Sequence, residues 1–324
     1  MITIRDIARE AGVSVSTASR ALNNNPRISM ATRRKIQSLA SRLGYVPNYN
    51  AKSLTLGEAN VVGVIFPPNQ ASDQDNPFFI DALRGINTVL TARQYVLSIA
   101  IGQQPEDVLA NVVAMVDQAK VKRFILLYTH ADDPVADYLR VAGLRFVIIG
   151  RPNREHDDDF VDNDNVAAGA AGAAYLIDRL HANRPVFVRS STNWTYEQNR
   201  FTGFQSIAQK RGVPAPYVIL NQISEPERIQ SWLKDNPQID GVLATDDLLG
   251  TAFYQQWQQV YPDRTIPIVG YNRSSAIPLP NENFHSIDLY PEKLGAAAAE
   301  LVFRAHSTEA GQENCIILPF EPLQ

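Results

Sequence analysis

Cysteine is nearly absent from this sequence: Cys315 is the only one among 324 residues. A single cysteine excludes an internal disulfide and is typical of a protein kept in a reducing cytoplasm. No apolar run approaches the roughly 20 residues that cross a bilayer. The first ten residues carry charges where a signal peptide would have an apolar core. We therefore expect a cytoplasmic protein with no membrane partner.

Enzyme motifs are also missing. The sequence has no serine nucleophile elbow, Walker loop, HExxH pair or Cys/His metal spacing. Residues 169–172, Gly-Ala-Ala-Gly, lie in a helical pattern without the dinucleotide fingerprint, which favours a role in close helix packing. The acidic run Asp157–Asp159 after His156 is more typical of a solvated turn than of a metal site. We therefore expect no enzymatic activity, no cofactor and no metal.

Charge is distributed unevenly along the chain. The whole sequence carries a net charge of −4, whereas residues 1–57 carry nine Lys and Arg side chains against Asp6 and Glu10, a net +7. The remaining residues therefore carry −11. A basic N-terminal segment joined to an acidic body is typical of a nucleic-acid-binding module attached to a second domain.

Apolar spacing in the N-terminal segment predicts three short helices. The predicted helices cover residues 4–11, 15–22 and 30–43, and their predicted caps are Thr3, Ser14 and Ser29. Gly12 and Gly44 follow the first and third helices, where glycine commonly ends a helix. Two short helices joined by a tight turn are typical of a helix-turn-helix domain, whose second helix enters the major groove of DNA.

From residue 61 onward, short β-branched runs alternate with amphipathic helical stretches. The predicted strands cover residues 61–66, 95–100, 123–128 and 146–150 in a first series, 186–188, 217–220, 242–244 and 266–270 in a second, and 316–318 near the end. Strands that alternate with helices indicate parallel sheets. Two such series predict an α/β body of two lobes. Ligands bind at the carboxyl ends of such strands, so a cleft is expected between the lobes.

Three segments together resemble one family. Residues 3–8 (Thr-Ile-Arg-Asp-Ile-Ala), 11–23 (Ala-Gly-Val-Ser-Val-Ser-Thr-Ala-Ser-Arg-Ala-Leu-Asn) and 43–48 (Leu-Gly-Tyr-Val-Pro-Asn) closely resemble the lactose/galactose repressor (LacI/GalR) family. The resemblance covers the whole chain. It implies a small all-α helix-turn-helix head, a body like that of periplasmic binding proteins, and a homodimer that binds a near-palindromic operator and is switched by a small-molecule sugar.

The resemblance also implies which residues contact operator DNA. Val15 and Ser16 match the positions that select the operator, while Arg20 matches a general contact and is a good donor to guanine edges or phosphates. Leu54 matches a leucine that the family's hinge helix inserts into the minor groove, where such a wedge kinks the duplex. The full predicted set is Thr3, Ser14, Val15, Ser16, Thr17, Ser19, Arg20, Asn23, Ser29, Thr32, Tyr45, Asn48, Ala51, Lys52 and Leu54.

Arg200 matches the arginine with which the family grips its effector. Arginine and carboxylate groups bind vicinal hydroxyls, and aromatic faces cover the apolar side of a sugar ring. The predicted effector-binding set is Asn76, Pro77, Phe79, Tyr128, Asp162, Trp194, Arg200, Asp246 and Asn272. Two of these have a plainer alternative, because Trp194 could pack on a neighbouring loop and Asp246 could serve only as a helix cap. Many family members carry aspartate where Asn272 stands, so that contact should differ here.

Short blocks indicate the kind of effector. Residues 76–86 and 161–166 look most like the maltose-operon regulators of Gram-positive bacteria, which implies maltose or a maltodextrin. A different sugar, or a nucleoside or purine, is the alternative effector. A transport binding protein would share such a body, but the DNA-binding head argues against that class. The sequence has no C-terminal leucine heptads of the kind that form tetramers, so a dimer is expected.

These features predict three segments. The helix-turn-helix head should cover residues 1–47, the hinge 48–60 and the effector-binding and dimerisation body 61–324. Within the body we expect the first lobe to contain residues of about 61–160 and 288–308, and the second lobe those of about 161–287 and 309–324.

Overall fold

The structure is a computed structural model that describes most of the chain. The described residues are 2–22, 24–45, 59–68, 76–130, 132–152, 157–220, 226–273, 280, 282–304 and 315–323. They divide into two compact units, with the division between Ala59 and Asn60. Among these residues, no helix combines the length and the apolar character that crossing a membrane requires.

The N-terminal unit consists of three helices, as predicted. They are α1 (Ile4–Ala11), α2 (Val15–Leu22) and α3 (Met30–Arg42). Thr3 and Asp6 form a capping box at the start of α1, and Gly12 ends that helix with a left-handed φ of 70°. Ile7 and Ile36 are fully buried with the alanines of α2, which gives this small unit its own apolar core.

The second unit is an α/β body. Its described strands are β1 (Val61–Ile65), β2 (Val96–Ala100), β3 (Arg123–Leu126), β4 (Arg145–Ile149), β5 (Phe160–Asn163), β6 (Pro185–Arg189), β7 (Tyr217–Ile219), β8 (Gly241–Ala244), β9 (Ile268–Tyr271), β10 (Phe284–Ile287) and β11 (Cys315–Leu318). Its described helices are α4 (Pro77–Ala92), α5 (Pro105–Asp117), α6 (Pro134–Val141), α7 (Asn165–Ala174, continued by a π turn), α8 (Thr195–Arg211), α9 (Pro226–Asp235), α10 (Asp247–Val260) and α11 (Pro291–Leu301).

The strands form two parallel sheets, which confirms the predicted fold class. The first sheet has the order β11-β5-β4-β3-β1-β2 and the second β10-β9-β8-β6-β7. We call the first sheet with α4, α5, α6 and α11 the first lobe, and the second sheet with α7 to α10 the second lobe. Buried valines and isoleucines fill both faces of each sheet, as expected for parallel strands covered by helices.

The structure corrects two lobe boundaries and adds elements that the sequence analysis missed. Strand β5 lies wholly in the first sheet, so the assignment of residues 161–163 to the second lobe is wrong. Strand β11 pairs with β5 in the first sheet, so the assignment of residues 309–324 to the second lobe is wrong for this strand. Only beyond it do Phe320 and Leu323 pack against the core of the second lobe. Strands β5 and β10 and helix α11 were not predicted. Each of these two strands is four residues long and half polar, which leaves little apolar pattern to detect.

Glycine lets two helices cross closely in each lobe. A Cβ atom on Gly203 of α8 would lie 2.1 Å from the carbonyl oxygen of Val166, and one on Gly169 of α7 would lie 2.1 Å from that of Arg200. Gly85 and Gly295 play the same part between α4 and α11 of the first lobe. The packing role predicted for Gly169 is confirmed, and the crossing sets the position of Arg200.

Candidate functional site

The second helix of the head presents a polar and apolar surface to solvent. Ala18 and Ala21 of α2 are fully buried, whereas Val15 is 43% exposed and Ser16 and Arg20 are also exposed. An apolar side chain exposed at a helix N-terminus, beside hydroxyl and guanidinium groups, is suited to contacts with base edges and phosphates. The predicted operator-selecting pair therefore lies on the accessible side of the helix.

The predicted serine caps are confirmed. The Ser14 hydroxyl accepts a hydrogen bond from the Thr17 amide (3.2 Å), and the Ser29 hydroxyl accepts one from the Thr32 amide (3.2 Å). Each cap orients a helix N-terminus, which is a favourable position for a phosphate. Ser19 is half-buried on α2, and Tyr45 packs against the head core. Asn23, Asn48, Ala51, Lys52 and Leu54 lie outside the described residues.

In the body, the predicted effector residues gather around one cleft between the lobes. Its lining includes Asn76, Phe79, Tyr128, Asp162, Trp194, Arg200, Asp246 and Asn272. Pro77 does not line it and instead begins α4. The carboxyl ends of β3 and β8 lie at this cleft, as the topology of parallel sheets predicts.

Arg200 is held rigidly at the base of the cleft. Its Nε donates to Asn165 Oδ1 (2.9 Å), and one terminal nitrogen donates to the carbonyl oxygen of Thr245. The guanidinium also makes cation–π contacts with two rings, with its carbon 4.5 Å from the centroid of Tyr271 and 4.8 Å from that of Tyr196. Such contacts fix the plane of the guanidinium before any ligand arrives.

Asp162 supports this arrangement from the first lobe. Its Oδ1 accepts from the side-chain amide of Asn165 (2.9 Å), the same group that orients Arg200, and its Oδ2 accepts from the Arg151 amide (3.1 Å). Burial raises the pKa of Asp162 to about 6, although the amide donors and the charge of Arg200 favour the ionised form. The sequence did not indicate this link, because Asn165 and Arg200 are 35 positions apart in the chain.

Asp246 is the cap of α10, and its second carboxylate oxygen also reaches the cleft. Its Oδ1 accepts from the Leu249 amide (2.7 Å) as the cap of α10, and its Oδ2 accepts from the side-chain amide of Asn76 (2.9 Å). Asn76 caps α4 of the first lobe by accepting from the Phe78 amide (3.0 Å). One hydrogen bond thus joins the first turns of two helices across the cleft.

Aromatic side chains form one wall of the cleft. Trp194, on the loop before α8, meets the ring of Tyr128 edge-on at 6.3 Å and that of His130 at 6.5 Å. Trp194 therefore packs against a neighbouring segment, as the alternative prediction stated, and its side chain also lines the cleft. Because Tyr128 follows β3 of the first lobe, this contact also crosses between the lobes.

The acidic run before β5 is part of the structure of the first lobe. Asp158 accepts two hydrogen bonds from the guanidinium of Arg140, at 2.8 and 3.2 Å, and buried Asp159 forms an ion pair with Arg145. The prediction of a solvated turn is wrong for these two residues, since only Asp157 is exposed. Across the described residues, no three His, Cys, Asp or Glu side chains gather closely enough to hold a metal ion.

Comparison with known proteins gives the same two parts. Residues 3–48 match the family model of bacterial regulatory proteins, lacI family, and residues 173–323 match a periplasmic binding protein-like domain. The chain is 32% identical over 306 residues to the HTH-type transcriptional regulator MalR of Staphylococcus xylosus, an alignment that covers 93% of this chain and 90% of that protein. It is 28% identical over 312 residues to MalR of Streptococcus pneumoniae, covering 94% and 92%.

Solved structures share the fold over nearly the whole chain. A cellobiose complex of the transcriptional regulator CelR superposes with a TM-score of 0.71 and 23% identity, covering 99% of this chain and 98% of that one. The lac repressor dimer bound to operator and the anti-inducer ONPF gives a TM-score of 0.76 at 17% identity, covering 99% and 97%. At these identities the likeness concerns the fold alone.

Proposed function

Because this chain belongs to the LacI family of DNA-binding transcriptional regulators, we propose that it is a repressor that binds a near-palindromic operator as a homodimer and responds to a sugar. The exposed face of α2 with Val15, Ser16 and Arg20 supports the DNA-binding part. The relatives named above are regulators, and this chain is expected to have no enzymatic activity of its own.

The proposed effector is maltose or a maltodextrin. Relatives at 32% and 28% identity are named as the regulator MalR, and a structural neighbour binds the disaccharide cellobiose. The cleft offers the groups that such a ligand needs, with Arg200 and Asp246 for hydroxyls and Trp194 for an apolar ring face. A different sugar, or a nucleoside or purine, is the alternative.

The hydrogen bond between Asn76 and Asp246 is the observation that carries the switch. It joins the two lobes through groups that a sugar hydroxyl would also bind. A ligand that replaces this bond contacts both lobes and stabilises the angle between them that suits both sets of contacts. A ligand can shift the equilibrium only by its differential affinity for the two states, and about 1–3 kcal/mol of coupling changes operator affinity roughly 5–150-fold.

A titration of operator affinity tests the sensor. Maltose, maltotriose, galactose and ribose are added to the wild type, to Arg200→Ala and to Arg211→Ala, a control on the same helix whose exposed side chain pairs with Asp178. We expect a response from the wild type and the control, whereas Arg200→Ala binds operator normally and ignores the sugar. A wild type that responds to none of these four sugars refutes the proposed maltose-type effector. A full response by Arg200→Ala refutes the cleft assignment alone.

The DNA-binding part has a separate test. Residues 1–57 carry the net charge of +7 against −11 in the rest of the chain, so operator affinity should fall steeply with salt, by a slope of roughly −0.9 per phosphate neutralised. Removal of residues 1–57 should abolish the operator shift. A truncated body that still retards operator DNA contradicts the assignment of the head.

A further inference from the structure

Two consecutive residues at the end of β9 have left-handed backbone conformations. Asn272, which lines the cleft, has a φ of 93°, and Arg273 has a φ of 47°. Such conformations cost free energy in residues other than glycine and persist only when surrounding contacts hold them. The Asn272 amide donates to the carbonyl oxygen of Ile287 (3.0 Å), and the Arg273 amide donates to the hydroxyl of Ser286 (2.9 Å).

Ser286, which accepts the hydrogen bond from the Arg273 amide, also hydrogen-bonds to a buried carboxyl. Its hydroxyl donates to Oδ2 of Asp247 at 2.7 Å, and Asp247 is only 1% exposed. Asp247 is the first residue of α10, directly after the cleft residue Asp246. A Cβ atom on Gly270 would lie 2.3 Å from Asp247 Oδ1, so the carboxyl fits tightly against β9. The pair therefore links the start of α10 to the turn that carries Asn272.

We propose that Asp247 and Ser286 are positioning residues of the effector site, which hold Asp246 and Asn272 in the arrangement that binds the sugar. This inference rests on the proposed sensor function. Neither residue lines the cleft, so both act through their neighbours rather than by touching the ligand. Asp247 fixes the first turn of α10 next to Asp246, and Ser286 fixes the strained turn at Asn272.

The protonation of Asp247 fits this role. Burial, together with the neighbouring Asp246 carboxylate, raises the pKa of Asp247 to about 8, even though Ser286, the Arg273 amide and the charge of Arg200 on α8 favour the ionised form. At neutral pH the folded protein therefore holds a neutral carboxyl at this position. Because the Asp247 carboxyl is neutral, it places no second negative charge next to Asp246. The Asp246 carboxylate is therefore available to hydroxyl groups.

Calorimetric titration with maltose, maltotriose, galactose and ribose tests the proposal on the full chain. Ser286→Ala should bind the sugar that the wild type recognises about tenfold more weakly, because the turn loses a hydrogen bond. Its operator affinity without sugar should stay unchanged, and Ser286→Thr, which keeps the hydroxyl, should restore sugar binding. Tyr261→Phe is the matched control, since it removes a partly buried hydrogen bond of 2.8 Å to the carbonyl oxygen of Leu233 in the same lobe.

A double-mutant cycle separates positioning from general loss of stability. Asp247→Asn keeps an acceptor for Ser286 and should bind sugar within about twofold of the wild type. Asp247→Ala should resemble Ser286→Ala, and the double variant should be no weaker than either one, as expected for one network. Additive losses, or normal sugar binding by Ser286→Ala, would overturn this inference alone. A wild type that binds none of the four sugars would overturn the proposed maltose-type effector, and this inference with it.

Discussion

Two buried aspartates of the body, Asp162 and Asp247, differ in how far their pKa values are raised. Asp162 accepts hydrogen bonds from two main-chain amides and from Asn165, so burial raises its pKa only to about 6. Asp247 accepts its side-chain hydrogen bond from a neutral hydroxyl and lies beside another carboxylate, and its pKa is raised to about 8. N–H donors favour the ionised form, so the difference follows from the number of such donors around each carboxyl.

Asp247 should make stability depend on pH. The folded protein holds a proton on this carboxyl up to a pH of about 8, whereas the unfolded chain releases it near the ordinary value of 3.8. Between these values the folded state binds more protons, so the free energy of unfolding falls as pH rises, by at most about 1.4 kcal/mol per pH unit. Above pH 8 this contribution becomes constant.

The variant Asp247→Asn isolates this effect. Its side chain has nearly the same shape and carries no proton that titrates in this range. Compared with the wild type, the variant should gain stability steadily between pH 5 and about pH 8. Urea unfolding of both proteins at one-unit pH intervals measures the difference. If the free energies of unfolding of the two proteins change with pH in parallel across this range, Asp247 does not take up a proton on folding.

At the scale of elements, helices cross closely at glycines in both lobes, and the crossing of α7 and α8 determines where the Arg200 side chain lies. Arg200 lies one turn before Gly203 on α8, and its own carbonyl oxygen touches Gly169 of α7. Any change in the separation of α7 and α8 therefore moves the guanidinium relative to the cleft. Small residues are needed here because each Cβ would approach main-chain atoms, which cannot turn aside as a flexible side chain can.

Gly203→Ala should reveal the strength of this constraint. Alanine is favoured over glycine within a helix by about 1 kcal/mol, so propensity alone predicts stabilisation. The added Cβ would lie 2.1 Å from the Val166 carbonyl oxygen, and we expect overpacking to dominate, with a net loss of about 1–3 kcal/mol. Sugar affinity should fall with it. Gln205→Ala, at an exposed position of the same helix, should change stability by less than about 0.5 kcal/mol.

The limits of sequence-based prediction also show at this scale. Helices α1 and α3 were predicted almost to the residue, because caps and glycine stops are local signals. Strand β11 was placed in the wrong lobe, because its partner β5 is more than 150 positions away in the chain. The four residues of β11 do not themselves indicate which of the two sheets the strand joins. In the cleft, residue type indicated Arg200 and Asp246, but the bonds to Asn165 and Asn76 depend on tertiary packing that spacing does not encode.

At the scale of the whole molecule, an exposed apolar edge supports the proposed homodimer. Strand β2 ends the first sheet, and its residues Val96 and Ile99 are 58% and 39% exposed, with Ile101 following at 48%. Edge strands of this kind are normally short, charged or covered, because they expose both apolar side chains and unpaired main-chain groups. A second copy of the chain, related by a twofold axis, would cover the edge with the same residues from each partner.

Val96→Lys should therefore convert the protein to a monomer. A lysine on an edge strand opposes pairing, since two copies at a twofold interface would bring like charges together. Each head would then meet its half-site alone and lose the effective concentration that linkage provides, so operator affinity should fall roughly 100-fold or more. Val141→Lys is the control, because Val141 is 91% exposed at the end of α6, far along the chain from this edge, and should change neither property. Analytical ultracentrifugation gives the mass and an operator titration gives the affinity. If Val96→Lys sediments as a dimer at the concentrations where the wild type does, strand β2 is not the dimer contact, whatever the operator affinity shows.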